Sequence, residues 1–468
     1  MAHRIEQATA RGLISTRADY DRIRTEFGAE KQQRIAQSQL PVRDAITAMG
    51  GEIVAVYDNV WGLAARLTPT QIQRLAERPD VAFIDADQPG QNNEVTGIEV
   101  AEGSQLSQFT DASLSPVYDG ENPGGSYDIT FAMMEAGEPD DTHVGYEEGS
   151  GYTTSRFRAK YRCDNSSCWP VSSYTSPISH TSAVAGLRMG DLIDGQDSGV
   201  ISTSERRRRS GYANEGRGYP FNITSNNTAG GTLALSNMQS LSVHPHVVNT
   251  SWGVPSYDGS CLGMSSFNAA ANDLFENDTL PIVTAGNRKG SSTDCTIDAP
   301  ASAIGVFTVG AHADTDTWFG DETDVRGAPI WSQISPTVKE SAMGGVSYSE
   351  GRYRSIVDLT AFGCRSKMFD SGGSYTWQDC GTSYAAPTVT GAAMDFVDWY
   401  KNEVNDDIDN PGLLFANLLL MGDRQSQSGK LTSRFDSQWG AGRLKMRRYD
   451  DAGMDGPWSW GDGWTCVT

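Results

Sequence analysis

An α/β fold, a parallel sheet covered by helices on both faces and preceded by a small α+β unit, is predicted by three features of this sequence. From Ile129 to about Lys445, apolar runs of four to six residues alternate with helical patterns, as in parallel sheets wrapped by helices. Before residue 90 the order of elements is strand, strand, helix, strand, in a segment rich in Arg, Gln, Glu and Ala. Between the two, about Gln88 to Gly125 is a run of Gly, Asn, Gln, Ser, Asp and Pro with little periodicity, the composition of an exposed linker. No internal repeat is visible.

In the first unit a helix is expected around Val42 to Met49, followed by alternating strands at Glu52 to Tyr57 and Gly62 to Leu67. Thr68 then opens a helix, with Pro69 in its first turn and Gln71 closing a capping box, that runs to about Arg78. A third strand, Val81 to Asp85, completes the unit. In the second unit the clearest strands are Ile129 to Met134, His246 to Asn249, Leu280 to Thr284 and Val306 to Val309. The chain thus divides into residues 1–90, a linker at 91–123, a large domain at 124–445 and a tail at 446–468. Trp458, Trp460 and Trp464 in the tail are read as packing or flexible residues; a sugar-stacking surface is the alternative.

Composition narrows the function. The net charge of -22 repels nucleic acid and anionic membrane surfaces, so neither is an expected partner. No apolar run approaches the roughly 18 residues of a membrane-spanning helix, and a soluble monomer is expected. The one basic run, Arg206 to Arg209, is read as a solvated loop; anion binding and a processing site are the alternatives. The seven cysteines form local pairs, Cys163 with Cys168, Cys261 with Cys295 and Cys364 with Cys380, leaving Cys466 over. That pattern predicts an oxidising compartment, with reduced thiols in a cytosolic enzyme as the alternative. Secretion or the cell surface is therefore expected, although Met1 to Gly12 has no apolar core and shows no secretory signal.

The chemistry concentrates in GTSYAAP, Gly381 to Pro387, which opens the helical stretch Thr388 to Tyr400. Ser383 would sit at a helix N-terminus, where exposed N–H groups and the helix dipole favour an anion formed during acyl transfer. Three further strings stand in order before it: SHTSAVAGLRMG from Ser179 to Gly190, VVNTSWG from Val247 to Gly253, and PIVTAGNRKG from Pro281 to Gly290. Together with GTSYAAP and the later PASAIGVFTVGA, they resemble the motifs of the subtilisin-like serine peptidases over about 260 residues. The resemblance implies a subtilisin-like fold and a serine endopeptidase that needs no cofactor for catalysis. It implies Ser383 as nucleophile, His180 as general base, and Asn287 as an oxyanion donor. Ser251, Trp252 and Gly253 would pair main chain to main chain with an extended polypeptide substrate.

The pattern departs from the family twice. Thr181, Ser182 and Ala183 follow His180 where glycine, threonine and histidine are usual. Glu135, closing ITFAMMEAG, stands where the family has the aspartate that orients the histidine. Asp128 is its rival on that strand. His143, His244, His246 and His312 lack the matching helix and are read as ordinary histidines. Asp140 and Asp141 are candidates for structural calcium, which family members often bind, but complete no ligand pattern.

Gly50 to Asp87 is similar to the family's inhibitory prodomain in element order, in its Leu-Thr-Pro helix start and in the Pro-Asp-Val turn. A zymogen that cuts itself in the linker and keeps its prodomain as an inhibitor is implied. Two other readings are an acid peptidase of the related sedolisin group, at which Glu135 hints, and an inactive subtilisin-like binding module.

Overall fold

The computed structural model describes residues 11, 17–58, 60–87, 91–92, 129–148, 154–189, 216–254, 265–287, 297–312, 338–339, 353–354, 357–363, 367–373, 375–377, 381–401, 410–423 and 440–444. The linker apart from Gln91 and Asn92, Asp128, Arg206 to Arg209, the tryptophan tail and Cys261, Cys295, Cys364, Cys380 and Cys466 lie outside them.

The N-terminal unit packs two helices on a small antiparallel sheet. Helix α1 (Arg17–Ala48) is 32 residues long and contains the expected segment at Val42 as its last turns. Gln39, buried on this helix, donates to the carbonyls of Tyr57 at 2.8 Å and Gly62 at 2.7 Å. It thereby holds the connection between strand β1 (Glu52–Val56) and its antiparallel partner β2 (Leu63–Arg66). Helix α2 (Pro69–Ala76) begins with the expected capping box: Thr68 N–H donates to Gln71 Oε1 at 2.7 Å, and Gln71 N–H to Thr68 Oγ1 at 3.4 Å.

Val81 to Asp85 corrects the expected third strand: it joins no sheet. This segment and the adjoining Asp87 are anchored instead on two helices of the large domain, α4 (Thr228–Met238) and α5 (Ser266–Glu276). Asp85 accepts from the Ser266 N–H and Asp87 from the Ala229 N–H, each at 3.0 Å. Carboxylates at these helix starts meet otherwise unpaired amides and the positive dipole end. Lys31 of α1 adds an ion pair to Asp273 of α5.

The large domain is built on a ten-stranded sheet. After the short β3 (Gln91–Asn92), its strands in chain order are β4 (Thr130–Glu135), β5 (Lys160–Cys163), β6 (Cys168–Val171), β7 (Arg217–Ile223) and β8 (Val247–Thr250). The order continues through the separate β9 (Trp252–Gly253) to β10 (Leu280–Thr284), β11 (Phe307–His312) and β12 (Leu359–Phe362). A hairpin of β13 (Lys367–Phe369) and β14 (Tyr375–Trp377) intervenes before β15 (Gly422–Asp423) and β16 (Arg443–Leu444). Across the sheet the order is β15-β16-β12-β11-β10-β8-β4-β7-β5-β6, parallel except at the β15 and β6 edges.

Alternation along the central strands sorts the core into two layers. Phe131, Met133, Val247 and Ile282 face helices α3 (Ser179–Met189), α6 (Thr382–Trp399) and α7 (Pro411–Leu420). Ala132, Met134, Val248 and Val283 face α4 and α5. Burial on both faces is why these strands read as unbroken apolar runs.

Candidate active site

In open parallel sheets, ligands gather beyond the carboxyl ends of the strands. Here three neighbouring strands deliver residues to one such place. Glu135 ends β4, Ser251 follows the last residue of β8, and Asn287 lies just beyond β10. Two packed helices start there, α3 with His180 and α6 with Ser383 in the first turn. Gly137 permits this approach: a Cβ on it would lie 2.2 Å from Ile178 Cδ1, two residues before His180.

Glu135 is 1% exposed, and its two oxygens have different tasks. Oε1 accepts from the Ser251 N–H at 3.0 Å and faces Asn249 Nδ2 at 3.5 Å. Oε2 faces His180 Nδ1 at 4.0 Å. Burial pushes the His180 imidazole down from 6.5 to about 4, which keeps it neutral and able to accept a proton near neutrality. Its ring lies against Tyr384, next to Ser383, with centroids 5.5 Å apart.

A second chain of bonds joins the acid to the serine helix. Ser251 Oγ accepts from Asn249 Nδ2 at 3.0 Å and donates to the Ser383 carbonyl at 2.8 Å. Asn249 Oδ1 in turn accepts from Thr390 Oγ1 on α6 at 3.1 Å. Asn249 and Thr390 were missed by the sequence reading. The available signal was a polar residue within the apolar run Val247 to Thr250, now seen to be fully buried.

Asn287 is oriented by Thr382. Thr382 donates its N–H at 2.9 Å and its hydroxyl at 2.8 Å to one amide atom of Asn287, which must therefore be Oδ1. The other atom, Nδ2, is buried and has no hydrogen-bond partner among the described residues. An amide donor beside the start of α6 is thus left for a further acceptor.

Of Ser251, Trp252 and Gly253, the first gives its main-chain N–H to Glu135 and the other two form β9. The Trp252 ring is buried against Phe267, and its Nε1 donates to Asn226 Oδ1 at 2.6 Å. The backbone of β9 pairs antiparallel with β3, Trp252 opposite Asn92 and Gly253 opposite Gln91. The strand expected to receive an extended peptide is paired with the chain's own residues 91 and 92.

The other candidates have other partners or stand on other strands. His244 and His246 bond to Thr130 at the amino end of β4, the opposite end of that strand from Glu135. His143 stacks on Phe369 at 4.1 Å, and His312 ends β11. The carboxylates of Asp140 and Asp141 do not fit a calcium ion: Lys160 Nζ sits 2.5 Å from Asp141 Oδ2, and the oxygens of Asp140 accept from Thr142, Gly372 and Gly373. Cys163 and Cys168 form a disulfide across the β5–β6 hairpin.

The subtilase family model matches residues 110–408, and the peptidase inhibitor I9 model matches residues 22–91. A solved structure of a mutant epidermin leader peptide processing serine protease from Staphylococcus aureus is similar at a TM-score of 0.55 and 12% identity, covering 87% of this chain and 95% of that one. A second structure of the same protease gives 0.51 and 14%, covering 87% and 94%. Among curated proteins none matches. The chain belongs to the subtilase family of serine endopeptidases and carries an N-terminal I9 inhibitor domain.

Proposed function

We propose that the protein is made as a zymogen and hydrolyses peptide bonds through an acyl-enzyme on Ser383. The observation that carries this reading is the convergence of Glu135, His180, Asn287 and the start of the Ser383 helix at the ends of β4, β8 and β10. Ser383 Oγ attacks the scissile carbonyl while His180 takes its proton, and Glu135 stabilises the imidazolium. Asn287 Nδ2 and the amides at the start of α6 receive the oxyanion. His180 then protonates the leaving amine, and water releases the acyl group by the same steps in reverse.

The zymogen half of the reading rests on the pairing of β3 with β9 and on the Asp85, Asp87 and Lys31 contacts. They seat the I9 domain on α4 and α5 with its following residues along the substrate strand. Substrates are extended polypeptides. The Cys163–Cys168 disulfide favours an extracellular site of action.

Expression in a protease-deficient host tests both halves. The wild type should be cut between about Gln88 and Gly125, and Ser383→Ala should stay intact. A fluorophosphonate probe should label the processed protein on Ser383. Processed Ser383→Ala protein, or an unlabelled wild type, overturns the reading. An activity optimum near pH 4 would favour a sedolisin-like mechanism instead.

A further inference from the structure

Asp140 joins three elements that the reaction must hold in register. It lies in the turn after β4, five residues beyond Glu135, and is buried. Its N–H donates to Ser182 Oγ at 2.9 Å, and that hydroxyl donates to the Ile178 carbonyl at 3.0 Å. The main chain of Asp140 is therefore fastened to the first turn of the helix bearing His180.

The carboxylate reaches the opposite way, to the β13–β14 hairpin. Oδ2 accepts from the successive N–H groups of Gly372 and Gly373 at 2.8 and 2.9 Å. Both glycines have positive φ, +95° and +74°, yet a Cβ on either would meet nothing within 4 Å. Glycine is needed at both for backbone conformation and not for space, and that conformation aims two amides at one anion. Oδ1 accepts from the Thr142 N–H at 3.2 Å and hydroxyl at 2.7 Å. Burial pushes the Asp140 carboxyl up, but these donors together hold it below the ordinary carboxylate range, so it is an anion at working pH.

The hairpin itself packs on the helix that bears His180. Phe369 packs on Gly186 of α3, and Ser371 Oγ lies 3.2 Å from Ser179 Oγ, the residue before His180. A shift of the hairpin is therefore passed to the first turn of the helix that bears His180.

We infer that Asp140 is a positioning residue, which fixes the first turn of the His180 helix by tying it to the Gly372–Gly373 turn. The inference rests on the roles proposed above for His180 and Ser383. A misplacement near 1 Å at a reacting pair costs up to about 10²-fold in rate.

The test compares wild type with Asp140→Asn, Asp140→Ala and Gly372→Ala/Gly373→Ala on a small ester, with active sites counted by fluorophosphonate titration. Turnover per titrated site should fall in the order Asp, Asn, Ala, reaching about 10- to 100-fold for Ala, with KM changed less than about threefold. The glycine variant perturbs the same contact from the other side and adds no clash. Combining it with Asp140→Ala should cost little more than either alone. Turnover per site within twofold of wild type in both single-side variants, or additive losses, overturns the inference. A loss confined to the number of titrated sites shows a stability role alone and overturns it too. Failure of the underlying reading is recognised separately, by His180→Ala retaining turnover.

Discussion

Ser251 donates its main-chain N–H to Glu135 Oε1 at 3.0 Å, and this one bond decides which oxygen of the glutamate is turned toward His180. In Glu135→Gln the amide oxygen must stay with the Ser251 N–H, because a donor cannot face a donor. The new NH₂ then points at His180 Nδ1 and holds the imidazole in the tautomer whose Nε2 carries the proton. That nitrogen cannot accept from Ser383.

Glu135→Gln should therefore lower turnover steeply. The equivalent change at the same post in another serine protease costs roughly 10⁴. Glu135→Asp should keep part of the activity, and Asp128→Asn nearly all of it. Near wild-type turnover for Glu135→Gln in ester hydrolysis would remove Glu135 from the site.

The acid limb of the activity profile carries a sign. An anion at 4.0 Å favours the imidazolium, so removing it should move the limb of Glu135→Gln to lower pH. Residual activity of the variant measured from pH 4 to 8 checks this; a shift to higher pH would mean that Glu135 is not an anion facing His180.

Stability should also respond to His180. Its imidazole is lowered from 6.5 to about 4, so within that window the unfolded chain binds a proton that the folded chain does not. Stability should fall as the pH drops from 6.5 toward 4. Thermal melting of the Ser383→Ala precursor should show the fall, and an added His180→Gln change should flatten it.

Asn287→Ala should reduce turnover by about 10²–10³, the loss found for one oxyanion donor in an enzyme of this family. KM should move little, since Nδ2 meets the tetrahedral intermediate and not the resting carbonyl. Equal effects on turnover and KM would assign Asn287 to ground-state binding.

The inhibitor domain's grip should depend on its two helix-capping acids. Each of Asp85→Ala and Asp87→Ala removes an acceptor at a helix start, worth about 0.5–2 kcal/mol. Residual inhibition after processing of the full-length chain should weaken roughly 2- to 30-fold per change. Unchanged inhibition in both would locate the grip elsewhere, in the Lys31–Asp273 pair or along β3.

The sequence alone determined the parallel sheet, the capping box at Thr68 and the four strings that carry His180, Ser251, Asn287 and Ser383. Those are local or periodic properties: apolar runs mark strands buried on both faces, and a helix start is written in adjacent residues. It also pointed to Glu135 by its place at a strand end. Length and register in the N-terminal unit were less legible. Helix α1 extends well beyond its expected segment, and Val81 to Asp87 is chain outside any sheet whose Asp85 and Asp87 accept from amides of α5 and α4, more than a hundred residues away. Only the tertiary structure assigned one oxygen of Glu135 to Ser251 and the other to His180, bound Asn287 Oδ1 to Thr382, and brought Asp140 to Gly372 and Gly373. Each of these is a contact between segments remote in sequence, and no local pattern records which buried donor will face which acceptor once the sheet has closed.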